Sequence, residues 1–261
     1  MKPTATWSTA LTAVFALASM LPVLAEDPAP THVDFATADG HYHFSIDTTQ
    51  APELKEWSAK ELAPVIQNWY PRIVALLPSD NYTAPTTVNF EYKTDMKGTP
   101  AYAAGNKISM NAQWFTAELK REARGSVVHE MTHVVQQYGR GLNGARPAPN
   151  PGWIVEGIPD YVRWFLYEPE THGADINAHN IGSAKYDGNY RISANFIFWV
   201  VKTKDKDLVK KLNTACRQGI YSPDLWKEWT GKSVEELGAE WKALHEHRIA
   251  EQAAQKSEEK K

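Results

Sequence analysis

His129, Glu130 and His133 stand in the spacing H-E-x-x-H within SVVHEMTHVVQQY, residues 126–138. On a helix the two imidazoles lie one turn apart on one face, with Glu130 beside the first. Two nitrogen donors then converge on one point. Zn²⁺ in a catalytic site takes a few His or carboxylate ligands and keeps one position open for the water that attacks. A carboxylate next to the first His is placed to take that water's proton, so the spacing points to metal-dependent hydrolysis. The competing reading is a core helix whose two histidines merely pack or hydrogen-bond.

The flanking residues suit a buried helix. Val127, Val128, Met131, Val134 and Val135 are apolar, Gly125-Ser126 is a plausible start and Gly139 a plausible end. A second stretch, WIVEGIPDY at 153–161, carries Glu156 and Asp160 four residues apart, on one helical face. Glu156 is suited to be a third zinc ligand. Asp160 is suited to accept the other ring N–H of a zinc-bound His, which fixes the tautomer and raises the basicity of the ring. Acidic residues near the positive end of a helix give the plainer alternative.

Composition narrows the function classes. A chain of 261 residues with 43% hydrophobic and 23% charged residues is ordinary for a globular protein with a sizeable core. Acidic residues outnumber basic ones by 31 to 28, so nucleic acid is not an expected partner. Residues 1–25 read as a secretory signal: Lys2, an apolar run from Ala10 to Leu24, and a small residue, Ala25, at the cut. That predicts a secreted or periplasmic protein, with no membrane association after cleavage. A lone Cys216 excludes an internal disulfide, so the fold must rest on its core.

The remaining elements are those that must position the site. Residues 26–40, rich in Pro, Ala and Thr, read as a flexible lead-in. HYHFSID (41–47) reads as a first strand, and 52–77 as a long amphipathic helix that Pro64 and Pro71 kink or divide. TTVNFEYK (86–93) and KISMN (107–111) read as strands. The second is expected to line the cleft and offer its free edge to an extended peptide, with Ala101 to Asn106 as the turn into it. The loop 139–152 is rich in Gly and Pro. Residues 161–168 continue an apolar helix, and 193–202 read as a buried helix beginning near Tyr190. Short helices follow at 206–216 and 225–229, and Ser233 to Glu236 opens a last helix with a capping-box pattern whose buried side is Leu237, Trp241 and Leu244.

With these residues in view, the chain resembles the basic secretory protein family of zinc peptidases from about His41 to Leu244. The matching stretches are AYAAGNKISMNAQWF (101–115), VVHEMTHVVQ (127–136), WIVEGIPDYVRW (153–164), YRISANFIFWV (190–200) and TGKSVEELGAEWKAL (230–244). The family is similar to the gluzincin group, in which the third ligand is a Glu on a second helix, and this carries to Glu156. The resemblance also implies Tyr190 as the donor that stabilises the oxyanion, with Tyr161 second. Two departures stand out. This chain is slightly acidic, so any role tied to positive charge does not carry over. Pro159 replaces an Ala usual in the E-G-I-A-D-Y pattern, which fits only if Glu156 lies close to the start of its helix.

The expectation is therefore an α+β, zincin-like metallopeptidase: a small mixed sheet packed on the H-E-x-x-H helix, then a mainly helical C-terminal part. The peptidase domain spans 41–248, and 249–261 is a charged tail. His129, His133 and Glu156 are expected to hold one Zn²⁺, Glu130 and Tyr190 to be catalytic, and Asp160 to orient a ligand His. The partner is a polypeptide substrate, glycosylated or not. Two alternatives remain: a peptidase restricted to glycosylated or cell-wall-linked peptides, and a secreted zinc-containing binding or defence protein without turnover. In the latter, His172 or His179 would close the site as a fourth ligand.

Overall fold

The computed structural model of the chain describes residues 31–138, 150–188 and 190–259. The leader, the start of the lead-in and most of the Gly/Pro-rich loop lie outside these. Five strands form one mixed sheet in the order β1-β2-β3-β5-β4: β1 His32–Ala36, β2 His43–Asp47, β3 Thr87–Lys93, β4 Ala101–Ala104 and β5 Lys107–Asn111. The central pairs β2/β3 and β3/β5 are parallel; the outer pairs β1/β2 and β4/β5 are antiparallel. Alternation along β2, β3 and β5 puts Phe44, Ile46, Val88, Phe90, Tyr92, Ile108 and Met110 on the buried face.

The parallel pairing of β2 with β3 demands a crossover, and the amphipathic run supplies it. It begins with a 3₁₀ turn at Pro52–Leu54 and continues through α1 (Lys55–Trp57), a π-helical turn at Ser58–Leu62 and α2 (Ala63–Leu76). Pro64 falls in the first turn of α2 and Pro71 inside it. Ile66, Tyr70 and Ile73 face the core.

Asn111 caps the short α3 (Ala112–Glu118) by accepting from the Trp114 amide at 3.2 Å. Then comes α4 (Ala123–Gln136), which carries the H-E-x-x-H motif and packs on α2, β4 and β5. It begins three residues earlier than Ser126 and ends on Gln137, held in the left-handed region at φ 40°, rather than at Gly139. α5 (Gly152–Tyr161) runs into a π-helical turn, Val162–Tyr167. The C-terminal part is helical: α6 (Tyr190–Thr203), α7 (Leu208–Gln218), α8 (Asp224–Thr230) and α9 (Val234–Glu258). Gly157 lets α5 lie close on α6, since a Cβ there would sit 3.0 Å from Ile197 and 3.2 Å from Ser193.

Three local expectations are corrected. His32–Ala36 is a strand, not irregular lead-in, because it pairs in register with the whole of β2. Ala101–Ala104 is a strand rather than a turn, so β4 is the edge strand and β5 lies inside the sheet. Leu244 is 52% exposed, outside the buried side formed by Leu237 and Trp241. The charged tail continues the helix opened by the Ser233/Glu236 capping box as far as Glu258, with its last turns exposed. No helix among the described residues is long and apolar enough to cross a membrane.

α2 and α4 end side by side, and one buried side chain closes both. Arg217 of α7, 1% exposed, donates to the carbonyls of Val135 at 2.9 Å, Gln136 at 3.4 Å and Leu77 at 3.2 Å. Its guanidinium lies 3.8 Å from the centre of the Tyr82 ring, whose hydroxyl donates to the Val135 carbonyl at 2.7 Å. The last carbonyls of a helix have no partner within it and carry its negative partial charge, so a cation there serves both needs.

Candidate metal centre

Two helices bring three donors together. His129 and His133 stand one turn apart on α4, and Glu156 reaches them from the middle of α5. The Nε2 atoms of the two histidines are 3.1 Å apart, and Glu156 Oε2 lies 3.3 Å from the first and 3.1 Å from the second. Donors about 2.0–2.1 Å from a tetrahedral zinc are separated by roughly 3.3 Å, so the triangle has the right size. Among the described residues, this is the group that could hold a metal ion.

The hydrogen bonds around the rings decide which nitrogens are free. Asp160 Oδ1 lies 2.7 Å from His129 Nδ1, and Gln136 Oε1 lies 2.8 Å from His133 Nδ1. Both partners accept, so each Nδ1 carries hydrogen and each Nε2 directs a lone pair inward. Two lone pairs and a carboxylate oxygen then meet, an arrangement that needs a cation. Without a metal, a proton serves: burial pulls the His129 imidazole down, but hydrogen bonds to Asp160 and Glu156 overcome this and raise its pKa to about 10. For Glu156 burial acts upward, and the bonds to His129 and His133 win, lowering it to about 2.

Glu130 stands outside the donor triangle. It is buried, its carboxylate faces the cleft, and burial raises its pKa above the ordinary carboxylate value. It accepts from the Ala103 amide of β4. The register explains why that amide is free. Asn111 donates to Pro100 at 2.9 Å, so in this antiparallel pair residues 100, 102 and 104 bond to β5, while Ala101 and Ala103 turn their backbone groups off the sheet edge. The cleft beside them has a volume of about 740 Å³ and is walled by Thr99 to Ala103, Trp114, the donor triangle and Tyr190.

Tyr190, the first residue of α6, is 52% exposed, with its ring centre 6.2 Å from that of His129. The Glu156 charge, then burial, raises its pKa, which keeps the phenol protonated as a donor. Tyr161, the second oxyanion candidate, packs instead beside Phe165 and Phe198 and does not line the cleft. His172 is turned to Asp175 at 3.2 Å, and neither it nor His179 joins the donor group.

A charged cluster anchors the other end of α4. Arg163, in the π-helical turn, bonds Glu168 at 2.6 Å and Glu122 at 3.0 Å. Arg191 shares Glu122 at 3.1 Å, and the two guanidinium groups lie 3.9 and 4.3 Å from the Trp164 ring. Gly125 is required here, because a Cβ would collide with Glu168 and Arg163. Sequence reasoning missed this cluster and also Gln136. For Gln136 a signal existed, since it stands three residues after His133 on the same helical face.

Pro159 does not push Glu156 to a helix end. α5 starts at Gly152, so Glu156 is well inside it and Pro159 is interior. A family model described as BSP, peptidase of plants and bacteria, matches residues 53–241, a span that includes every residue of the donor triangle. No curated protein is matched by the chain.

Proposed function

We propose, from the premise that the chain belongs to BSP, the basic secretory protein family of peptidases of plants and bacteria, that it is a zinc-dependent endopeptidase of zincin type, exported by its first 25 residues. The observation that carries the reading is the position of Glu130. It is a buried carboxylate facing the cleft beside three convergent donors without being one of them. A purely structural metal site has no use for such a group.

His129, His133 and Glu156 would hold the ion. A zinc ion there supplies an acidified water and polarises the scissile carbonyl. The chain's own groups do the rest. Glu130, held by the Ala103 amide, takes the attacking water's proton and delivers it to the departing amine; its raised pKa suits both steps. Asp160 keeps His129 in the tautomer that presents Nε2. The Ala101 backbone groups and the Ala103 carbonyl, turned off the sheet edge, bind the substrate as an added strand, which favours extended polypeptide. Tyr190 donates to the oxygen on which charge develops.

Stripping the metal with a chelator is expected to abolish cleavage of a denatured protein, and stoichiometric zinc to restore it with cuts inside the chain. Cleavage that survives complete metal removal would sink the zinc reading. Cuts confined to glycosylated peptides narrow it to the restricted peptidase, and zinc uptake with no cleavage of either class favours the binding protein. For Tyr190→Phe, turnover should fall roughly 10²-fold with KM nearly unchanged. Unchanged turnover removes the hydroxyl from the mechanism.

A further inference from the structure

We propose that Gln136 is a positioning residue of this centre, a strut that fixes the His133 ring against the helix bearing Glu156, and that Pro159 creates one of its two footholds. The inference rests on the metal-centre reading above and concerns residues that bear no ligand atom themselves.

Gln136 is the last residue of α4, 2% exposed, and its carboxamide spans the gap to α5. Its Nε2 lies 3.1 Å from the Val155 carbonyl and its Oε1 2.8 Å from His133 Nδ1. In an uninterrupted helix the Val155 carbonyl would receive the amide of residue 159. Pro159 has no amide hydrogen, and its ring crowds that carbonyl aside. A half-buried carbonyl left open is costly, and Gln136 fills it.

The consequence runs outward from the proline in one direction. A backbone carbonyl can only accept, so the nitrogen of the carboxamide must face Val155. The oxygen must then face His133, and that oxygen in turn can only accept. His133 Nδ1 therefore carries the hydrogen, and Nε2 is left with its lone pair aimed at the donor triangle. The proline thus selects the tautomer of a histidine on another helix. Because Val155 immediately precedes Glu156, the same bond sets the third donor against the second.

The test uses the full chain with Gln136→Met, Gln136→Glu and Pro159→Ala. Zinc affinity is read by competition with a chromophoric chelator, the His133 tautomer by ring ¹⁵N shifts in the zinc-free protein, and stability by zinc-free unfolding. Gln136→Met is expected to weaken zinc about 10- to 100-fold and to free the His133 tautomer. Gln136→Glu, which still accepts from Nδ1 but cannot donate to the Val155 carbonyl, should fix the tautomer again and recover only part of that affinity. In the zinc-free protein the loss of stability from Gln136→Met should shrink in the Pro159→Ala background, where the restored amide takes the Val155 carbonyl. An additive cycle, or zinc affinity unchanged in Gln136→Met, overturns the strut. A wild-type chain that takes up no metal removes the reading beneath it, and the zinc-free cycle and the tautomer then still decide whether Gln136 couples Pro159 to His133.

Discussion

Glu130→Gln should lower turnover by about 10³-fold or more while zinc content stays at the wild-type level. The substitution keeps the shape of the side chain and an oxygen for the Ala103 amide, and leaves the donor triangle untouched. What it removes is the carboxylate that stands, among the described residues, between the cleft and that triangle. Burying a neutral carboxamide is also easier than burying a carboxylate, so the variant should unfold at the same temperature or higher. Parallel assays of zinc by atomic absorption, unfolding by calorimetry and cleavage of a denatured protein separate these statements. A variant that holds zinc and cuts within tenfold of the wild type excludes Glu130 as the base.

Arg217→Met should be the most damaging single change remote from the cleft, at about 3–5 kcal/mol. Methionine replaces much of the apolar stem but leaves the Leu77 and Gln136 carbonyls without a donor. The Val135 carbonyl keeps the Tyr82 hydroxyl. For a chain of this size the unfolding midpoint should fall by about 10 °C. Arg217→Lys, whose ammonium cannot reach three carbonyls in a fork, should recover only part of it. A shift below about 2 °C for Arg217→Met would show that the two helix ends are satisfied without it.

The site was more legible in the sequence than the sheet that frames it. His129, Glu130 and His133 declare themselves because helical periodicity alone puts them together, and Glu156 and Asp160 follow because they repeat that spacing. The sequence of β4, AYAA, resembles a turn and has little preference for a strand by itself. What makes it one is pairing with β5 through the two-residue link Gly105-Asn106, where Gly105 sits at φ 64°, the first position of a II′ hairpin turn. β1 was hidden in the same way: its regularity comes from β2, and a neighbour's register is not written in five residues. Pro159 points to a helix start when the cost of an interior proline is counted within one helix, whereas Gln136 meets that cost from another. Arg217 shows no pattern at all, since its partners lie far away in the sequence.

That separation sets the order in which the molecule can be completed. The bonds from Arg217 close loops of 81, 82 and 140 residues. Closing long loops is what slows folding, because chain entropy is lost before the contact repays it. All three metal donors have been synthesised by residue 156, more than sixty residues before the side chain that seals the helix carrying two of them. A nascent chain therefore holds the whole donor triangle while the helix bearing two of its members is unsealed, and the rate-limiting step in reaching the native state should be docking of α7 rather than assembly of the sheet.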